Sequence, residues 1–359
     1  MNLQQRTEAF VQLGEIINAY LGNTAEENDL NTDQKADFYE KMNQTIEQAY
    51  YQNGWFTKEN VLKSLSEIAS LLSKQELENW LTTYKEKLNI SRSPKNIGII
   101  MAGNIPMVSF HDLLCVLISG NKAIVRLSSQ DKILTPLLTD ILSSIAPQFR
   151  NFIFYTEAPF KSISIDAIIA TGSNNSARYF EHYFSKYPHI IRKNRNSVAI
   201  LDGSESESEL YNLGSDIFTY FGLGCRNVSK LYIPEGYQFD SFFRAIYDFN
   251  PIINNKKYSN NYDYNKTIYL LNNEKILDNG FLILKQDTSF TSPVGVLFYE
   301  YYSDKTMLEN QLLANKEQLQ CVVAKNINHP ASVNFGQTQM PKLSDYADGI
   351  DTLNFLLNL

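Results

Sequence analysis

The sequence predicts an α/β protein in which two regions of alternating strands and helices follow a helical N-terminal part. Three observations carry this. Residues 1 to about 90 show helical periodicity without strand signals. After Pro94 the pattern switches to short apolar runs that end in Gly, Ser or Thr and are each followed by a helical stretch. A second alternation of the same kind runs from about 205 to 325. With 359 residues the chain is long enough for two or three domains, each burying its own core.

Along the first part, Phe10, Leu13, Ile16, Ile17 and Tyr20 mark one apolar helix face. The segment 22–34, "GNTAEENDLNTDQ", reads as a loop between helices, and "SKQE" from Ser73 has the spacing of a capping box before "LENWLTTYKEKL". Next come the strand "NIGIIMAG" (96–103), the helix "SFHDLLCVLIS" (109–119), the strand "KAIVRLS" (122–128) and a helix at 131–145 with Pro136 near its start. "NFIFYT" (151–156) and "DAIIATG" (166–172) extend the strands, and "SARYFEHYFS" (176–185) supplies a helix. Such alternation means a parallel, doubly wound sheet. In the second region "SELYNLGSDIFTYFG" and "DSFFRAIYDF" read as helices, and "VSKLYIP", "GVLFYEYY" and "CVVAK" as strands. Residues 250–267, dense in Asn, Tyr and Lys, read as a surface excursion.

Composition excludes several classes of function. A net charge of -7 and a pI near 5.3 argue against a nucleic-acid binder, and the basic cluster "IRKNR" (191–195) reads as an exposed strand end. No apolar run reaches the roughly 18 residues that span a bilayer. "MNLQQRTEAF" has neither the basic region nor the apolar core of a signal peptide, so a cytoplasmic location is expected. The cysteines, Cys115, Cys225 and Cys321, are too few and too far apart for a disulfide framework or a zinc site, and no metal is expected.

Nucleotides bind doubly wound sheets beyond the carboxyl ends of the strands, where Gly, Ser and Thr let backbone amides approach phosphates. The ends concerned are "AGNIP", "RLSS" and "ATGS". None is the dinucleotide fingerprint of three spaced glycines, and no GxxxxGK[ST] phosphate loop exists, which disfavours a kinase or ATPase. "TGS" follows an apolar strand and opens a helix, where free amides and the helix dipole favour a pyrophosphate. A plain strand-to-helix turn with Ser173 as N-cap explains the same residues.

A reactive thiol needs polar surroundings and access, whereas a buried one behaves as a small hydrophobe. Cys115 lies within "LLCVLI" and Cys321 opens "CVVAK", so both read as core. Cys225, in "FGLGCRNVSK", follows a glycine-rich turn and precedes Arg226 and Asn227, donors suited to a thiolate or an oxyanion. It reads as a nucleophile. His111 and His329 are weaker candidates for proton handling, and no HxxxH or HExxH spacing exists.

In order, "GNIP", "SGNKAIVRLSS", "IATGS" and "GLGCRNVSKLYIP" resemble the aldehyde dehydrogenase superfamily, and within it the LuxC-type acyl-CoA reductases. The resemblance covers roughly residues 95 to 350. It implies an aldehyde-dehydrogenase-like fold with a Rossmann-type cofactor domain and a second α/β catalytic domain. The expected parts are a helical N-terminal region (1–92), a nucleotide-binding domain (93–204), a catalytic domain (205–325) and a C-terminal return segment (326–359) on the cofactor domain.

The resemblance also implies roles. Cys225 attacks the thioester carbon and Asn104 supplies the amide of the oxyanion hole. Arg126, with Ser128 and Ser129 nearby, suits a 2′-phosphate and points to NADPH, with NADH the alternative. Thr171, Gly172 and Ser173 line the pyrophosphate or nicotinamide side. No glutamate stands in "NRNSVAILDG", where hydrolytic members carry their water-activating base, and Ser289 replaces the glutamate that holds the nicotinamide ribose. The expected function is therefore reduction of an acyl-CoA, fatty acyl for preference, through a cysteine thioester. The alternatives are an acyl-phosphate reductase resembling glutamate-5-semialdehyde dehydrogenase and a catalytically inert nucleotide-binding interaction protein. An acyl-transferase or synthetase partner and a homo-oligomer are also implied.

Overall fold

A computed structural model of the chain describes residues 1–23, 32–90 and 92–359. The elements run α1 (Leu3–Tyr20), α2 (Thr32–Gln52), α3 (Lys58–Leu71), α4 (Lys74–Thr82), α5 (Lys85–Leu88), β1 (Asn96–Ile100), α6 (Phe110–Ile118), β2 (Lys122–Arg126), α7 (Leu134–Ile145), β3 (Ile153–Tyr155), β4 (Ala167–Thr171), α8 (Asn174–Tyr183) and β5 (His189–Arg192). They continue with β6 (Asn196–Ile200), α9 (Glu207–Phe218), β7 (Val228–Pro234), α10 (Asp240–Ala245), α11 (Lys256–Leu271), β8 (Ile276–Asp278), β9 (Ile283–Gln286), β10 (Val296–Tyr302), α12 (Lys305–Ala314), β11 (Leu319–Val323), β12 (Ser332–Val333) and α13 (Thr352–Leu357). Most of the loop expected at 22–34 lies outside the described residues, and its last three residues open α2.

The chain divides into two units, residues 1–193 with 342–359, and residues 194–341. In the first unit five parallel strands take the order β3-β2-β1-β4-β5. Ile97, Ile99, Ala123, Val125 and Ile169 join one core with α6, α7 and the N-terminal helices, including Phe10, Leu13 and Ile17 of α1. The helical prelude therefore completes this core; it is not a region apart. On the opposite face Ile124, Ile168, Phe160 and Phe184 cluster. A Cβ at Gly98 would stand 3.1 Å from the Phe160 ring, so glycine admits that ring. Ser73 caps α4, accepting from the Glu76 amide at 3.4 Å, which is one half of the capping box that the spacing predicts; the Ser73 amide donates to Ser70 O instead.

Arg192 corrects the reading of "IRKNR" as exposed. It is 4% exposed at the end of β5 and donates to both Asp112 oxygens (2.6 and 3.3 Å), to Ala347 O (2.6 Å) and to Thr352 Oγ1 (2.8 Å). A buried guanidinium needs such partners, and they bind the segment 342–359 into the first unit. Tyr346, from the same segment, accepts from Trp80 Nε1 (2.7 Å) and shares a hydrogen bond with Tyr84 (2.8 Å).

The second unit holds seven strands in the order β12-β11-β6-β7-β10-β9-β8, all parallel except the β8–β9 pair. The sequence places a boundary at 204/205, but β6 pairs with β7 and β11, so this unit begins at 194. Residues 256–267, expected as excursion, belong to α11. Asn255 caps it, and Tyr258, Tyr262, Asn265 and Tyr269 form its buried stripe at helical spacing. Tyr258 donates to Phe281 O (2.9 Å) and Tyr262 to Asp278 (2.6 Å), so the phenols are satisfied inside.

Candidate active site

In the second unit, three consecutive residues with left-handed backbone, Tyr220 (φ 53°), Phe221 (φ 60°) and Gly222 (φ 74°), turn the chain after α9 toward Cys225. Such backbone is strained for the two aromatic residues and persists only where neighbours hold it. The buried Asn227 does this. Its Nδ2 donates to Thr219 O (2.9 Å) and Asp216 O (3.1 Å), and its Oδ1 accepts from the Gly224 amide (2.8 Å). Ser197 of β6 donates to the Cys225 carbonyl (2.9 Å), while the Cys225 residue itself is exposed. Cys115 and Cys321 are buried, as expected for core thiols.

Asn227 corrects the expectation that its amide serves a thiolate or an oxyanion. Asn227 spends its amide on the turn, and Arg226 donates Nε–H to Thr338 O. Thr338 is itself fixed by the buried Asp216, which accepts from the Thr338 amide (3.0 Å) and hydroxyl (2.8 Å) and from the Gly336 amide (2.7 Å). Burial raises the pKa of Asp216. The segment 287–292 is tied down too: the fully buried Lys230 donates to Thr288 O (2.8 Å) and Glu300 (2.5 Å), and Ser229 to Phe290 O (2.7 Å). Ser289 donates its amide to Asp287 (2.9 Å).

In the first unit, the other expected site residues lie at strand ends (Arg126, Thr171) and in the loops that follow, at one end of the sheet. Ile100 stands in register with Arg126 on one side and Ala170 on the other, so "AGNIP", "RLSS" and "TGS" leave adjacent strands at the same edge. The crevice of a doubly wound sheet lies where strand order reverses, here between β1 and β4. Arg126, Ser129 and Ser173 are exposed; Asn104, Ser128, Thr171 and Gly172 are half-buried. A Cβ at Gly172 would come 2.8 Å from Ser176 Cβ, so glycine lets α8 pack this close to β4. Ser173 caps α8, accepting from the Ser176 amide (3.3 Å), as the plain turn reading also predicts. This donor set, a guanidinium, hydroxyls and a helix N-terminus, is of the kind that can hold phosphate groups. Cys225 belongs to the other unit.

His111 is enclosed in the first unit against Trp80 and Tyr346, its Nε2 at 3.0 Å from Leu343 O, and burial lowers its pKa. His329 is buried in the second, its Nδ1 accepting from the Ala331 amide (3.1 Å). Both pack as core histidines. Asp131, Ser197 and Asp216 are the site-building residues that sequence reading missed. None carried a capping signal: Asp131 stands ahead of the apolar run that becomes α7, but the N-cap there is Ile133. Among the described residues no cluster of side chains fit to hold a metal ion occurs, and no helix is long and apolar enough to cross a membrane.

The fold is that of the aldehyde dehydrogenases. A mutant form of an aldehyde dehydrogenase from Bacillus cereus superposes with a TM-score of 0.63 at 12% identity, over 92% of this chain and 77% of that one. Aldehyde dehydrogenase 21 from Physcomitrella patens gives 0.62 at 11% identity, over 98% and 84%. A Bacillus cereus aldehyde dehydrogenase solved with NAD+ gives 0.62 at 12%, over 91% and 72%. No curated protein matches the sequence. The profile of the acyl-CoA reductase (LuxC) family matches residues 5–246, and the chain belongs to that family. Membership and fold together support an oxidoreductase acting at the acyl or aldehyde level.

Proposed function

We propose that the chain reduces an acyl-CoA, fatty acyl for preference, to the aldehyde through a thioester on Cys225, with NADPH as reductant. The observation that carries this is the exposed Cys225 on a braced, left-handed turn in a member of the acyl-CoA reductase family. The Cys225 thiolate attacks the thioester carbon, its new S–C bond replaces the bond to CoA, and CoA leaves as a thiolate. A thiolate is a good enough leaving group to depart without a strong general acid. Asn104 would donate its amide to the oxyanion of the addition step. A bound nicotinamide would supply the hydride that takes the acyl carbon to the aldehyde level, and cleavage of the S–C bond then releases the aldehyde and returns Cys225 to its thiolate. Arg126, Ser128 and Ser129 would hold its adenosine side, and Thr171, Gly172 and Ser173 its pyrophosphate side. The strand β6, "NSVAI", offers no carboxylate to activate water, which supports acyl transfer over hydrolysis.

Intact mass measurement after incubation with a panel of acyl-CoAs, without reductant, tests the reading. An acyl-sized gain in the wild type that is absent in Cys225→Ala supports it and ranks chain lengths. No adduct with any acyl-CoA overturns it, and an adduct formed only from acyl phosphates would redefine the substrate.

A further inference from the structure

The turn that carries Asn104 is held by more side chains than its length requires. Ser109 Oγ accepts from the Ala102 amide (3.1 Å), Ser64 Oγ donates to Pro106 O (2.9 Å), and Met101 N–H bonds to Arg126 O (3.0 Å). At its end Met107 adopts a left-handed backbone (φ 53°), unusual for a side chain of this size, and its amide donates to Asp131 Oδ2 at 2.9 Å. The other oxygen, Oδ1, accepts from the amide of Leu134, the first residue of α7 (3.3 Å). Asp131 is 5% exposed, and its own amide donates to Ser128 O (3.3 Å). Gly103 closes the contact: a Cβ there would lie 2.6 Å from Ser128 Oγ and 3.1 Å from the Asp131 nitrogen. Asn53 adds a donor to Gln130 O (3.4 Å) from the end of α2.

We infer that Asp131 is a positioning residue: its carboxylate braces the β1–α6 turn, which carries Asn104, against the β2–α7 turn, which carries Ser128 and Ser129. One buried carboxylate thereby registers the amide proposed for the oxyanion against the loop proposed for the adenosine side. Burial raises the pKa of Asp131 while the two amide bonds oppose that rise, as expected for a carboxylate kept inside for its acceptors. An asparagine at 131 retains the shape but offers one acceptor where two amides need one each. The kinetic consequence rests on the reading above.

The test is a double-mutant cycle on Cys225 acylation by an acyl-CoA, followed by single-turnover mass measurement, together with amide hydrogen exchange. Asp131→Asn is expected to slow acylation by roughly 10- to 100-fold, since small displacements of catalytic groups cost this much. In the Asn104→Ala background it should add little, because the group it positions is already gone. Exchange should quicken at Met107 and Leu134. Gly103→Ala, which keeps the carboxylate but forces Gly103 off Ser128, should reproduce the pattern and serves if Asp131→Asn fails to fold. Additive losses, or wild-type acylation in both variants while Asn104→Ala is impaired, overturn the inference alone. Absence of acylation in the wild type overturns the catalytic reading first and this positioning role with it, even where exchange confirms the brace.

Discussion

The side-chain amide of Asn227 reaches back eight residues to the carbonyl of Thr219 (2.9 Å), closing the turn that presents Cys225. Removing it leaves buried carbonyls without a donor, at a cost of about 1–3 kcal/mol each for an orphaned polar group. Asn227→Ala is therefore expected to lower the urea midpoint and to slow Cys225 acylation although the thiol remains. Wild-type acylation in this variant would show that the turn holds its shape without the clamp.

Native protein treated with a thiol alkylator should gain one adduct, on Cys225, because Cys115 and Cys321 are 0% and 1% exposed. Unfolding in guanidinium should raise the count to all three cysteines. Peptide mapping that finds Cys115 or Cys321 labelled first would contradict the assignment of those thiols to the core.

Arg126 ends β2 with its side chain exposed, so its loss should leave stability within about 0.5 kcal/mol of wild type. If it pairs with a 2′-phosphate, Arg126→Ala should raise the KM for NADPH about tenfold or more and leave that for NADH nearly unchanged. Equal effects on both cofactors would place the arginine elsewhere than at the 2′ position.

Breaking the buried Arg192–Asp112 pair should be costly. Arg192→Met leaves the Asp112 carboxylate uncompensated and is expected to lose about 3–5 kcal/mol in urea unfolding, with faster hydrogen exchange over 342–359. The double variant Arg192→Met, Asp112→Leu should recover part of this, because no lone charge is left inside. A single variant as stable as wild type would mean that the C-terminal segment is held by its apolar contacts alone.

Glu209 should shape the acid limb of stability. The Lys325 ammonium (2.7 Å) and then Ser206, whose amide and hydroxyl both stand at 2.8 Å, hold its carboxyl below 4.5, at about 2. A carboxylate depressed in the folded state stabilises above its unfolded pKa, and that contribution fades as pH falls from about 4.5 toward 2. The exposed pair is screened by solvent, so the effect is modest. Urea midpoints measured between about pH 5 and pH 2 should fall less steeply in Glu209→Gln than in wild type. Parallel curves would sink this assignment.

How far the sequence could be read depended on how local each determinant is. Buried parallel strands announce themselves as short apolar runs, so β1, β2, β4 and the loops after them were legible, and with them the places of Asn104, Arg126 and the "TGS" turn at one edge of the sheet. The α11 stripe was present at helical spacing but written in Tyr and Asn, whose polar look hid a buried face. Arg192 was misread because Asp112 and Thr352, which bury it, lie 80 and 160 residues away in the chain. Arg226 and Asn227 were recognised as donors, yet composition carries no direction. Only the folded turn reveals that they point at Thr338, Asp216 and Thr219.

The interruption of the first unit between 193 and 342 has a consequence for biosynthesis. As the polypeptide leaves the ribosome, the second unit is complete once residue 341 has emerged, while the earlier strands and helices still lack their final stretch. Until Ala347 and Thr352 follow, Arg192 has Asp112 but not those two acceptors. The part translated first thus waits on residues 342–359 for its completion, and its folding must close contacts that span the whole second unit in sequence.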